Sequence, residues 1–155
     1  MPLPVCYLNR EYLPLAEARV SPLDRAFLFG DAVYEVVPVY AGRPFRLREH
    51  LDRLARSLEG IRMQPPLTHA DWDGILKTLI ERNGGGDQYV YFQVTRGAEL
   101  GRNHAWPPGL EPTVFAFANA LEPGRPGVIP AELRAARHLE IDVLIAAAVA
   151  LDEVF

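Results

Sequence analysis

Three short stretches of the 155-residue chain hold side chains that could do chemistry. In GRNH, Arg102 and His104 flank Asn103. A guanidinium and an imidazole so close together could grip a carboxylate, although R-x-H by itself is a short pattern with little specificity. In REHLDRL, His50 and Arg53 stand three apart, which on a helix makes them neighbours on one side. At about 100° per residue both fall on the flank of the Leu47, Leu51, Leu54 and Leu58 stripe, where a guanidinium can lie along the protein and present its fork to phosphate. A solvated helix face has the same spacing. In VYEVV, Tyr34 and Glu35 adjoin on a strand-like run and point to opposite faces. Residue type alone predicts a core tyrosine and a surface glutamate there.

The other reactive residue types offer less. A single cysteine excludes an intramolecular disulfide framework, and Cys6 reads as a small apolar packer. The histidines at 50, 69, 104 and 138 lack metal-ligand spacing, so no metal site is expected. Asp24 and Arg25 read as a local ion pair or turn device, and His69 as the flank of a helix start. There is no glycine-rich phosphate loop and no G-x-S-x-G elbow. A formal net charge of -4 and a pI near 5.6 argue against nucleic acid or an acidic membrane surface as a partner. The N-terminal stretch lacks the basic start and apolar core of a signal peptide, and VLIAAAVAL, residues 143–151, is too short to span a bilayer. A soluble cytoplasmic protein is expected.

The elements that must position these groups can be read from periodicity. With 49% hydrophobic and 23% charged residues, the chain has the composition of one ordinary globular unit. PVCYL and EYLPL predict a hairpin turning at Asn9 and Arg10. Residues 33–40 predict a strand that turns at Ala41 and Gly42 into RPFRL; Pro38, with no N–H to donate, requires an edge or a bulge. Leu47 to Ile61 carries helical spacing with Gly60 as its terminator, and a second helix starts at a Thr68–Asp71 capping box and ends at Gly84-Gly85-Gly86. Residues 88–96 and 112–120 are apolar on both faces, as central strands are. Residues 97–109 form a long loop bearing Arg102 and His104. The fold class is therefore α+β, a mostly antiparallel sheet with two helices on it.

Residues 21–61, SPLDRAFLFGDAVYEVVPVYAGRPFRLREHLDRLARSLEGI, resemble the N-terminal signature of the class IV, fold-type IV, pyridoxal-phosphate aminotransferases. Residues 91–107, YFQVTRGAELGRNHAWP, are similar to the matching region of the D-amino acid (D-alanine) aminotransferase branch. The resemblance runs from about residue 5 to residue 130. It implies that Arg53, with His50 beside it, binds the phosphate of pyridoxal 5'-phosphate. It also implies that Tyr34, Arg102 and His104 form a trap for the α-carboxylate of an amino acid or 2-oxo acid substrate. In the family the loop bearing the last two reaches the other subunit's site, so a homodimer is implied. The implied activity is transamination, most of all of D-amino acids such as D-alanine. Branched-chain aminotransferases and aminodeoxychorismate lyases share the rest of the signature and are the rivals, and a non-catalytic remnant of the fold is a third alternative.

The sequence departs from that pattern at the catalytic lysine, which the family carries after a strand near residue 130. Lys77, in GILKTL, is the only lysine here, and Glu140-Ile141-Asp142 stands near the family's position. The resemblance fades after residue 128. Residues 1–130 therefore read as the N-terminal aminotransferase domain and 131–155 as a divergent or truncated tail, replaced through a reading-frame change, an early stop or fragmentation. From Pro130 the tail favours helix by propensity, and from Ile141 to Leu151 it is apolar nearly all round. With no lysine to carry the cofactor as a Schiff base, no catalytic residue is assigned and the isolated chain is expected to be inactive.

Overall fold

The computed structural model describes residues 1–105 and 108–121. The tail helix expected from Pro130 and the boundary at residue 130 lie outside the described residues. Among the described residues six strands, β1 (Pro2–Leu8), β2 (Glu11–Pro14), β3 (Ala32–Tyr40), β4 (Arg43–Pro44), β5 (Gln88–Thr95) and β6 (Thr113–Ala120), form one sheet in the order β2-β1-β6-β5-β3-β4. Every neighbouring pair is antiparallel. β5 and β6 are central, as their two-sided apolar character predicts.

Helices α2 (Leu47–Gly60) and α3 (His69–Arg82) cover one face of this sheet. They bury Leu51, Leu54, Leu58, Trp72, Leu76, Leu79 and Ile80 against Val37, Val39, Val90, Phe92 and Val94. Trp72 meets Phe92 at the centre of the layer, with ring centroids 4.8 Å apart. The Thr68 capping box forms as predicted, with Thr68 Oγ1 accepting from the Asp71 N–H and Asp71 Oδ2 accepting from the Thr68 N–H.

Both hairpin turns use left-handed backbone at two successive residues, which suits the right-handed twist of the strands they join. The φ angles are 46° and 80° at Asn9 and Arg10, and 48° and 77° at Ala41 and Gly42. After the second turn only Arg43 and Pro44 pair, so the RPFRL strand is two residues long. Pro38 causes no break in the β3–β5 register. Its carbonyl accepts from the Phe45 N–H on the β4 side, and N and O of one strand residue point the same way, so the missing N–H faces the short edge strand. Gly60 ends α2 as its last helical residue, but the left-handed residue that follows is Arg62, φ 56°.

Two short elements among the described residues are absent from the sequence expectations: a 3-10 turn at Leu15–Glu17 and α1 (Arg25–Phe29), a single helical turn too short for periodicity to reveal. Asp24 caps its start by accepting from the Ala26 N–H, and Gly30, φ 70°, closes it in the left-handed region. No helix among the described residues is long and apolar enough to cross a membrane.

Candidate functional site

The candidate residues fall in three places: His50 and Arg53 on the helix-facing side of β3, Tyr34 on its other face, and Arg102 and His104 against α1. Glu35, Val37 and Val39 point toward the helices, whereas Tyr34, Val36 and Pro38 point to the other face. The alternation predicted for Tyr34 and Glu35 therefore holds, but the assignment of faces is reversed. Glu35 is 4% exposed and Tyr34 41%. The reason is on α2: Arg53 and His50, projecting from the helix flank, supply the partners that let a carboxylate be buried.

Arg53 Nε and Nη2 donate to Glu35 Oε1 and Oε2, both at 2.6 Å, in a two-pronged pair. His50 Nδ1 lies 2.8 Å from Glu35 Oε2. An ionised carboxylate only accepts, so Nδ1 carries the proton in this contact, and the 3.2 Å approach of Arg53 Nη2 to the same nitrogen is then a close contact between two donors. Burial by itself would raise the Glu35 pKa; the hydrogen bonds and charges of Arg53 and His50 outweigh it and hold the carboxyl below its ordinary range. The same hydrogen bonding raises the Arg53 pKa against a smaller opposing effect of burial. The Arg53 side chain is 44% exposed, so a buried anion fixes the fork while part of it faces solvent.

On the opposite face Tyr34 stacks on Tyr91 with ring centroids 5.3 Å apart, and Tyr91 packs on Phe117 at 5.4 Å. Phe115 stacks on Phe117, which completes an aromatic row across β3, β5 and β6. Burial, with the nearby Tyr34 hydroxyl, pushes the Tyr91 pKa up.

Arg102 and His104 share a seat on α1. The Arg102 guanidinium lies 4.8 Å from the Phe29 ring centroid, and the His104 ring lies 5.4 Å from it. Both residues are exposed, at the surface end of the loop. The loop begins at Gly97, φ 94°, where a Cβ would come 2.0 Å from the Glu111 carbonyl oxygen, so no other residue fits there.

Sequence reasoning missed the charged cluster beneath this loop. Of the two readings of Asp24 and Arg25, the turn device holds, since Asp24 caps α1, and the ion pair does not, since each takes its partners elsewhere. Asp24, 1% exposed, accepts from the hydroxyls of Thr95 and Thr113 at the ends of β5 and β6. Arg25, 2% exposed, pairs with Asp31 and Glu99, and Asp31 Oδ2 also accepts from Arg96 Nε. The sequence signal was faint, since one helical turn puts no periodic stripe around Arg25. For Glu35 a signal existed: it shares the two-residue period of Val37 and Val39.

Cys6 is buried, and burial raises its pKa, which suits the inert packing role expected of it. His69 opens α3. No group of metal-ligating side chains occurs among the described residues. Lys77 is exposed on α3, away from that helix's buried positions.

The family model for amino-transferase class IV matches residues 32–143. D-alanine aminotransferases from Staphylococcus epidermidis and Staphylococcus aureus are 33% identical over 117 and 136 residues, which cover 75% and 83% of this chain but 41% and 48% of theirs. The chain thus spans less than half the length of these relatives. Among solved structures, the Escherichia coli branched-chain amino acid aminotransferase matches with a TM-score of 0.71 at 22% identity, over 77% of this chain and 40% of that one, and so shares the fold. The T.th. branched-chain amino acid aminotransferase, solved with pyridoxamine 5'-phosphate, matches with a TM-score of 0.67 at 29% identity, over 79% of this chain and 42% of that one. The sheet with its two covering helices is therefore the N-terminal part of a known architecture, and the chain belongs to the class IV aminotransferases.

Proposed function

We propose that the chain is the substrate- and phosphate-gripping half of a pyridoxal-phosphate aminotransferase acting on D-amino acids such as D-alanine. The observation that carries this is the seating of Arg102 and His104 together over Phe29, in a chain whose relatives include D-alanine aminotransferases. A guanidinium fork beside an imidazole matches a carboxylate, and Tyr34 adds a hydroxyl to the same task from the partner chain of a homodimer.

Arg53, held by Glu35 with His50 beside it, offers a fixed cation to the cofactor phosphate. These residues fit the phosphate end of the cofactor. The covalent end has no match, because Lys77 is the only lysine and stands exposed on the outer side of α3. When bound, the cofactor supplies the electron sink for transamination. In this proposal the described residues bind and orient. A second interpretation, a non-catalytic domain that keeps the fold, is favoured by that same lysine. A cytoplasmic location suits the one unpaired cysteine.

The decisive experiment joins this chain to a lysine-bearing continuation found in any reading frame across codon 130. The joined enzyme should transaminate D-alanine in preference to branched-chain amino acids, and Arg102→Ala should lower kcat/KM for D-alanine by roughly 100-fold or more, as expected for a lost charge-assisted pair. Preserved turnover in Arg102→Ala would overturn the carboxylate role. The 155-residue chain alone should form no 2-oxo acid from D-alanine with added cofactor, and measurable product would overturn its assignment as a half-site.

A further inference from the structure

We infer that Arg25 is a positioning residue: its buried guanidinium clamps the 99–104 loop onto α1 and so presets Arg102 and His104 for a carboxylate. The inference rests on the proposed role of that pair. Arg25 uses all three of its guanidinium nitrogens. Nε donates to Asp31 Oδ2 at 3.0 Å, Nη1 to Glu99 Oε1 at 2.7 Å and to the Asn103 carbonyl at 2.8 Å, and Nη2 to the His104 carbonyl at 3.1 Å. Two of these acceptors are the backbone of the loop itself, the carbonyls of the two peptide bonds that flank the His104 Cα. The contacts therefore fix where His104 starts and not merely where the loop passes.

The floor of the seat comes from the same helical turn. Arg25 and Phe29 are four apart on α1, hence on one side of it, and the Arg25 guanidinium lies 4.5 Å from the Phe29 ring centroid. The ring that carries Arg102 and His104 is thus itself positioned by the residue that holds their backbone. Arg25 is in turn immobilised from behind. Its N–H donates to the Gly97 carbonyl, and the Asp24 carboxylate beside it is tied to Thr95 and Thr113 on the two central strands. The loop's working end is thereby referred to the sheet through one side chain. A lysine has a point charge and no planar fork, and could not span Asp31, Glu99 and the two carbonyls together.

Backbone 15N relaxation, read as order parameters, and the His104 imidazole proton resonance, measured on the 155-residue chain, test this. In the wild type the Phe29 ring current should displace the His104 resonance from that of an unstructured histidine. In Arg25→Lys and Arg25→Gln, the order parameters of residues 99–104 should fall from the rigid-backbone range, about 0.85, to below about 0.6, and the His104 resonance should move to the value of an unstructured histidine, with β3, β5 and β6 still rigid. Glu99→Gln, which removes only the loop's own carboxylate, should lower the same order parameters part of the way and guards against a misfolded Arg25 variant. Unchanged loop order parameters in Glu99→Gln, or in a folded Arg25→Lys, would overturn the clamp. Acetate, followed at His104, separates the two levels. It should perturb the wild type and bind at least fivefold more weakly in Arg25→Lys, although Arg102 and His104 are both intact. In Arg102→Ala the acetate response should vanish while the loop stays rigid; acetate binding that survives Arg102→Ala would sink the carboxylate reading and leave the clamp standing.

Discussion

At the scale of single residues, charge among the described residues is buried where a second residue answers it. Glu35 is the sharpest instance, buried against Arg53 and His50. Its folded pKa lies below the ordinary 4.5, so its stabilisation is present above that value and lost as pH falls through the lower folded pKa. Glu35→Gln should cost about 1–3 kcal/mol at neutral pH, toward the low end because Arg53 is partly solvated. Its acid-unfolding curve should lack the component below pH 4.5 that the wild type shows, and identical curves would refute the assignment. Gly97→Ala tests a different constraint, a Cβ placed 2.0 Å from the Glu111 carbonyl at a φ of 94°. A loss of roughly 3 kcal/mol or more is expected, read as a drop in the thermal midpoint of about 10 °C or more. Here the sequence was partly legible. Arg102, His104, His50 and Arg53 stand out by type and spacing. Glu35 was misjudged, because residue type says where a carboxylate prefers to be and not whether an arginine on another element will meet it.

At the scale of elements, periodicity and capping located both long helices and the central strands, since those signals are local. What they could not report were devices that depend on distant partners. Asn83, which caps α3, is such a device. Its side-chain amide donates to the Val5 carbonyl and accepts from the Val5 N–H, each at 3.0 Å. It does so where the β1–β6 register shifts between Pro2 and Cys6, so a helix cap takes the part of a missing strand neighbour. Asn83→Ala would strip both backbone groups of Val5, at a cost of about 1–3 kcal/mol. Faster amide exchange confined to residues 3–6 is the expected signature; protection equal to wild type would show that another partner takes over. Turn α1 left only the Asp24–Arg25 hint in the sequence, since one helical turn sets no periodic stripe and its partners Thr95, Thr113 and Glu99 lie far along the chain.

At the scale of the whole molecule, the sheet order was beyond what any single stretch could specify. The hairpins and the central pair are readable one at a time, but β1 lies beside β6, and only the assembled sheet says so. The junction is made firm by Asn9, whose N–H donates to the Val114 carbonyl while its side chain accepts from the Val114 N–H, 105 residues along the chain. That closure sets a schedule. Non-local pairing slows folding, so refolding from denaturant should take milliseconds to seconds, and a microsecond phase accounting for all the amplitude would contradict it. On the ribosome, at about 5–20 residues per second, the first hairpin must wait on the order of ten seconds before its partner strand has been synthesised. The first hairpin, made well before the strand it pairs with, is thus among the last parts of the sheet to find its place.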